Sequence, residues 1–154
     1  MLRESRWRWL ACWAAMLVVA LATMSASAEP SLNPQGDWLT ANGHGVVQIA
    51  PCGDRLCGRI VGLNLATGEP MPTDVEGRPQ CGLTIISAGQ ADPTGTWHGE
   101  ITDPRDGDSY QTRLSLDDSG NLRLRVFVFG IPALGATQVW HRFTGQIADE
   151  CRMA

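Results

Sequence analysis

Between Tyr110 and Val128 the chain alternates apolar and polar residues with a period of two, and no other feature constrains the fold as much. Tyr110, Thr112, Leu114 and Leu116 alternate with Gln111, Arg113, Ser115 and Asp117. Asp118-Ser119-Gly120-Asn121 supplies a turn, after which Leu122, Leu124, Val126 and Val128 alternate with Arg123 and Arg125. Successive side chains of a strand point to opposite faces, so the pattern specifies an antiparallel hairpin with one buried and one wet face.

The rest of the chain continues in short strand-like runs separated by turn chemistry. Runs at 36–40, 46–50, 56–64, 82–88 and 95–102 precede the hairpin, and one at 138–143 follows it. Asn42-Gly43 and Asp103-Pro104-Arg105-Asp106-Gly107 are turn signals, since proline presets φ and glycine accepts φ > 0. Residues 65–80 carry Gly68, Pro70, Pro72, Gly77 and Pro79 without periodicity and read as a long loop. No helical period of useful length appears after residue 28. Eight short strands in series favour an all-β, up-and-down antiparallel meander. A sheet of that size exposes two edges unless it closes, so an eight-stranded barrel is expected.

Residues 1–28 read as a secretory signal. Arg3, Arg6 and Arg8 form a positive start, residues 10–22 are uninterruptedly apolar, and Ala26-Ser27-Ala28 gives the small-x-small cleavage pattern. Thirteen apolar residues cover about 20 Å, short of the ~30 Å hydrocarbon core. An uncleaved anchor is the alternative, because Trp7, Trp9 and Trp13 could lengthen the segment. Cys12 lies too early in the apolar run to serve as a lipoprotein anchor. Residues 29–35 form a linker and 36–154 a single barrel domain, placed in the periplasm or secreted. Past residue 28 the chain has nine Arg, no Lys and 15 acidic residues, a formal charge of −6. Such a chain repels phosphate backbones and anionic lipid headgroups, which argues against nucleic acid and against polybasic membrane docking. The lack of Lys excludes Schiff-base chemistry.

Four cysteines remain after the leader: Cys52, Cys57, Cys81 and Cys151. An even number in an exported chain indicates disulfides. Cys52 and Cys57 bracket the turn-like Gly53-Asp54-Arg55-Leu56 and can face each other across a hairpin neck. Cys81 with Cys151 follows by elimination and would tie the C-terminal tail to the barrel wall. A four-thiolate zinc site is the rival reading, but the spacings are not the paired knuckles of a zinc ribbon.

Several motifs in order resemble a bacterial exported family catalogued as domain of unknown function 2147. They are Gly36-x-Trp38, then Cys52-Gly53-x₃-Cys57-Gly58-x-Ile60-Val61, then Asp103-Pro104-x-Asp106-Gly107-x₂-Tyr110, and finally Leu134-Gly135-x₄-Trp140-x-Arg142. The resemblance implies a lipocalin-like (calycin) small barrel and no established activity. Trp38 and Arg142 also look like the lipocalin closing pair, a first-strand Trp at the floor with a last-strand Arg across it, and Trp140 belongs to the same structural set. A guanidinium over an indole gains about 0.5–2 kcal/mol. The alternative for Arg142 is an anion clamp on a ligand.

Catalytic and metal chemistry find little support. His98 and His141 each follow a Trp placed inward, so both are expected outside, and His44 lies in a turn. Asp103, Asp106 and Asp108 could chelate Ca²⁺ but lack a distal bidentate Glu. Ser87, Ser109, Ser115 and Ser119 occupy no nucleophile elbow, and alternation puts Glu100 on the outer face. The reading leans against an enzyme and implies no cofactor. The leading expectation is an interaction or binding module of the envelope, with a carrier of a small apolar ligand as the alternative. For a ligand, Trp97 and Tyr110 would line the mouth, with Arg59 or Arg125 at its rim. The aliphatics of the hairpin are expected to fill the interior, leaving at most a shallow mouth pocket. For a partner, Phe127, Phe129, Ile131 and Leu134 would form an exposed apolar patch, unless residues 144–154 fold over it. A membrane contact stays open as a further use of that patch.

Overall fold

The computed structural model describes residues 33–154; the expected leader and most of the linker lie outside the described residues. Eight strands follow one another: β1 (Gly36–Leu39), β2 (Gly45–Cys52), β3 (Arg55–Leu63), β4 (Thr84–Ala91), β5 (Trp97–Thr102), β6 (Ser109–Leu116), β7 (Leu122–Phe127) and β8 (Gly135–Arg142). Each pairs antiparallel with the next, and β8 returns to β1 through Trp38–Arg142 and Leu39–His141, closing the barrel. The all-β, eight-stranded up-and-down barrel expected from alternation is therefore the fold. β8 begins at Gly135, three residues before the expected Gln138, because Gly135 already pairs with Phe127.

Strand reversal sorts the connections into two ends. Residues 40–44, 64–83, 103–108 and 128–134 gather at one end, the mouth. Residues 53–54, 92–96 and 117–121 gather at the other, the floor. The floor half is packed solid. Trp38, Ile49, Leu56, Ile86, Leu114, Leu122, Leu124 and Trp140 are buried in one cluster, with Ala88 among them. Trp38 Nε1 donates to the Pro34 carbonyl at 2.7 Å, and the Arg142 guanidinium stacks 3.9 Å from the indole. Gly36 makes this possible. Its φ is +129°, and a Cβ there would strike the guanidinium that reaches past it to the Gln35 carbonyl.

Both disulfides form as paired in the sequence, Cys52–Cys57 and Cys81–Cys151, each with Cα atoms 5.8 Å apart. The second brings the tail onto β3. Met153 N donates to Leu63 O at 3.0 Å, Arg152 pairs with Leu63, and Ile147 and Val46 close over Gly62. The tail thus lies on the β2–β3 wall, away from Phe127.

The loop of residues 64–83 is irregular but internally bonded, and Asp74 is its hub. Asp74 Oδ1 accepts the Glu76 and Arg78 amides at 2.9 and 2.8 Å, and Oδ2 accepts Arg78 Nε at 2.7 Å. Burial works to raise the Asp74 pKa, but the Arg78 and Glu76 hydrogen bonds and the Arg78 charge outweigh it and hold the carboxyl below its ordinary value. The folded pKa is depressed, so this staple contributes above the unfolded value of about 3.9 and is lost as pH falls through the folded one. Protection factors at the Glu76 and Arg78 amides, taken against the intrinsic exchange rate at each pH, should therefore fall in acid before the strands open. In an Asp74→Asn variant they should be low at all pH values. Equal acid sensitivity in that variant would contradict the assignment.

Candidate functional site

A solvent-open pocket of about 460 Å³ lies at the mouth, larger than the shallow pocket expected, above an interior that is packed as expected. The reason lies in where the bulky residues fall. Both buried indoles and Leu114, Leu122 and Leu124 sit in the floor half. Val47, paired with Trp38, forms the top of the buried cluster, and the lining positions above it include the short side chains of Ile60, Ile101 and Val126 and the bare Gly45. Leu63, Leu65 and Ile85 complete the apolar wall. Above it lie the polar residues Asn42, His44, Glu69, Asp103 and Arg105, while Gln138, paired with Leu124, sits deeper in the wall and accepts from Trp140 Nε1 at 2.9 Å.

Tyr110 joins the two zones. It opens β6, which runs from mouth to floor, so its ring enters the cavity beside the acidic turn. Desolvation, then the charges of Asp108, Asp106 and Asp103, push its phenol above the ordinary value, so it remains a neutral hydrogen-bonding group. Asp103 is paired with Arg105, whose Nε lies 3.0 Å from Oδ1. That side-chain bond, opposed by some desolvation and reinforced by the backbone and charge of Arg105, holds the Asp103 carboxyl below its usual range. Asp106 accepts the Asp108 amide at 2.9 Å. These contacts close the turn. Among the described residues no three His, Cys, Asp or Glu side chains converge as a metal site.

Three of the four expected ligand contacts lie elsewhere. Trp97 is not at the mouth, because β5 runs from floor to mouth and its first residue packs against the floor cluster opposite Leu114. Arg59 is exposed on the outer face, since Gly58 and Ile60 on either side of it take the inward positions. Arg125 also points outward. It clamps the β7–β8 loop instead, donating Nε to the Pro132 carbonyl and Nη1 to Thr137 Oγ1, each at 3.0 Å.

The expected apolar patch is smaller than read from the sequence. Phe127 has outward parity yet is only 7% exposed. Its ring lies in an outer groove floored by Gly99 and Gly130, and a Cβ at Gly135 would strike the Phe127 Cβ at 2.7 Å. Glycines on both sides let the ring lie along the sheet, with the Arg113 guanidinium 5.4 Å from its centroid. Phe129, Ile131 and Leu134 stay exposed beside the mouth, and Phe129 is 89% accessible at φ +55°. His98 and His141 both face outward, His98 bonded to Asp92 Oδ2 and His141 to Asn121 Oδ1, each at 2.9 Å. Sequence reasoning missed His44, Glu69 and Arg105 as rim residues. Their turn chemistry was visible, but not that three separate turns share one end.

A closed eight-stranded barrel with a Trp–Arg floor and an open pocket at its mouth is a lipocalin-like barrel. A solved structure of the same fold is protein HP1028 from the human pathogen Helicobacter pylori, described as belonging to the lipocalin family. The two share 16% identity, with a TM-score of 0.62 over 78% of this chain and 86% of that one. Residues 36–142 match the family described as "Uncharacterized protein conserved in bacteria (DUF2147)", and the chain belongs to that family. No curated protein matches it.

Proposed function

We propose that this protein is an exported, non-enzymatic binding module that takes one small ligand, apolar in its body and polar at one end, into the barrel mouth. The cavity carries the reading. Its volume falls within the range of small-molecule sites, about 300–1,000 Å³. It is about three times the ~150 Å³ that accommodates a benzene ring. Aliphatic walls below a polar rim suit an amphiphile held head-up. The two disulfides and the leader-like residues 1–28 support a periplasmic or secreted location, with cleavage after Ala28. The apolar loop tip at Phe129, Ile131 and Leu134 is the contact face for an envelope partner that delivers or receives the ligand.

The neutral fluorophore N-phenyl-1-naphthylamine tests both parts. It should brighten and saturate at one site, and Val126→Trp, which fills the cavity, should abolish the response. Ile101→Phe, a smaller intrusion, should weaken it with the fold retained. Phe129→Ser should change neither probe affinity nor melting temperature, because that ring touches nothing in the cavity. No saturable response, or one that survives Val126→Trp, would refute the cavity reading. Weaker probe binding in Phe129→Ser would assign the tip to the cavity instead of to a partner.

A further inference from the structure

The outer face of β6 and β7 carries an arrangement that the ligand cavity does not use. Arg113 and Arg125 stand directly opposite each other across the two strands, and Arg123 lies two residues before Arg125 on the same face. Like charges directly opposite in a sheet are destabilising, so folding alone gives no reason for the pair. The three arginines line an open groove of about 500 Å³ together with His98, Ser115 and Thr137.

Their charges are only partly compensated: the Asp117 carboxylate lies near enough to Arg123 for the two charges to attract, without forming an ion pair with it. The ion pairs among the described residues engage Arg78, Arg105 and His98, and none of these three. Arg125 is held by neutral acceptors, the Pro132 carbonyl and the Thr137 hydroxyl, and Arg113 by the Phe127 ring. Such contacts fix a guanidinium without cancelling it. Asp92 is the acid lining the groove; its charge offsets one of the cations, while its oxygens are taken up by contacts other than the arginines. Oδ1 accepts from Thr94 N, Thr94 Oγ1 and Thr96 N, and Oδ2 faces His98 Nε2. Hydroxyls of Ser115 and Thr137 add neutral donors between the cations.

We propose that this groove binds paired oxyanions, the chemistry of a diphosphate or of two neighbouring phosphate groups. Guanidinium groups present planar forks of donors that match phosphate oxygens. Two opposed arginines with a third alongside suit two such groups better than one. The net negative charge of the chain does not prevent this, because fields beyond about 10 Å are screened at ~0.1 M salt and the local cations dominate. The phosphates can be soluble or displayed on a lipid headgroup.

Calorimetric titration of the purified, disulfide-bonded protein with inorganic pyrophosphate at ~0.1 M salt tests the soluble source. Co-sedimentation with phosphatidylcholine vesicles, with and without phosphatidic acid, tests the lipid source. Saturable binding in either arm is expected, and the arm that responds names the source. Arg113→Gln with Arg123→Gln should weaken it roughly tenfold or more, as loss of charge-assisted bonds does. The same pair should keep or raise the melting temperature, because a repulsion is relieved. The corresponding pair of Lys substitutions should restore part of the affinity and keeps the test open if the Gln variant folds poorly. Arg59→Gln, outside the groove, should bind normally. Absence of binding in both arms, or binding unchanged in the Gln pair, would overturn the proposal. The neutral fluorophore responds to the cavity alone, so failure here leaves that reading untouched.

Discussion

Replacing Trp38 with Ala should cost about 3–5 kcal/mol, the range for deleting a large aromatic from a packed core. The indole is fully buried and stands at the centre of the floor cluster. It meets aliphatic neighbours inside, the Pro34 carbonyl on its N–H, the Arg142 guanidinium on its face, and β2 and β8 on either side. Two further variants separate these contributions. Trp38→Phe keeps most of the ring but leaves the Pro34 carbonyl unpaired, at about 1–3 kcal/mol. Arg142→Ala removes an exposed cation from the indole face, at about 0.5–1 kcal/mol. Urea midpoints at constant m-value should rank the losses with Trp38→Ala largest, Trp38→Phe next and Arg142→Ala smallest. A loss below about 1 kcal/mol on Trp38→Ala would mean that the floor does not hold the barrel closed.

How much of this could be read from the sequence depended on whether a feature was local. The 110–128 hairpin was legible because its period, its turn and its polar face lie in one stretch, and β6 and β7 follow it closely. Both disulfides were legible for similar reasons, one from a neck of four residues and one from counting. Cross-strand register was not. Phe127 reads as exposed because its parity is outward. What buries it are Gly99 two strands away, Gly135 beside it and Gly130 in the next loop, and alternation within β7 says nothing of these. Strand direction was the second gap. Trp97 and Tyr110 both lie at the start of their strands, but β5 starts at the floor and β6 at the mouth, so one ring packs the core and the other meets the cavity. The arginine groove needed register as well. Arg113, Arg123 and Arg125 each read as a solvated outer residue until pairing set two of them face to face.

Removing the Cys81–Cys151 disulfide should destabilise the protein by about 4 kcal/mol in the chain-entropy model, against about 2 kcal/mol for Cys52–Cys57. The difference comes from loop length, since the Cys81–Cys151 bridge spans 70 residues and the Cys52–Cys57 bridge only 5. The long bridge also ties two elements that have few other anchors. Cys81 ends the 64–83 loop, whose Leu65, Pro72 and Gln80 line the cavity. Cys151 fixes the tail, whose Arg152 donates to the Glu69 carbonyl at 2.6 Å and whose Met153 amide bonds β3. Cutting the bridge therefore loosens the tail and one side of the cavity rim together. Paired serine variants of each bridge, compared by urea unfolding, should place Cys81→Ser/Cys151→Ser well below Cys52→Ser/Cys57→Ser. The first pair should also weaken fluorophore binding, and the second should leave it unchanged, because the 52–57 hairpin lies at the floor. Equal losses from the two pairs would show that chain entropy is not what the long bridge contributes. Unchanged fluorophore binding in the Cys81/Cys151 pair would show that the rim holds its shape through the Asp74 staple alone.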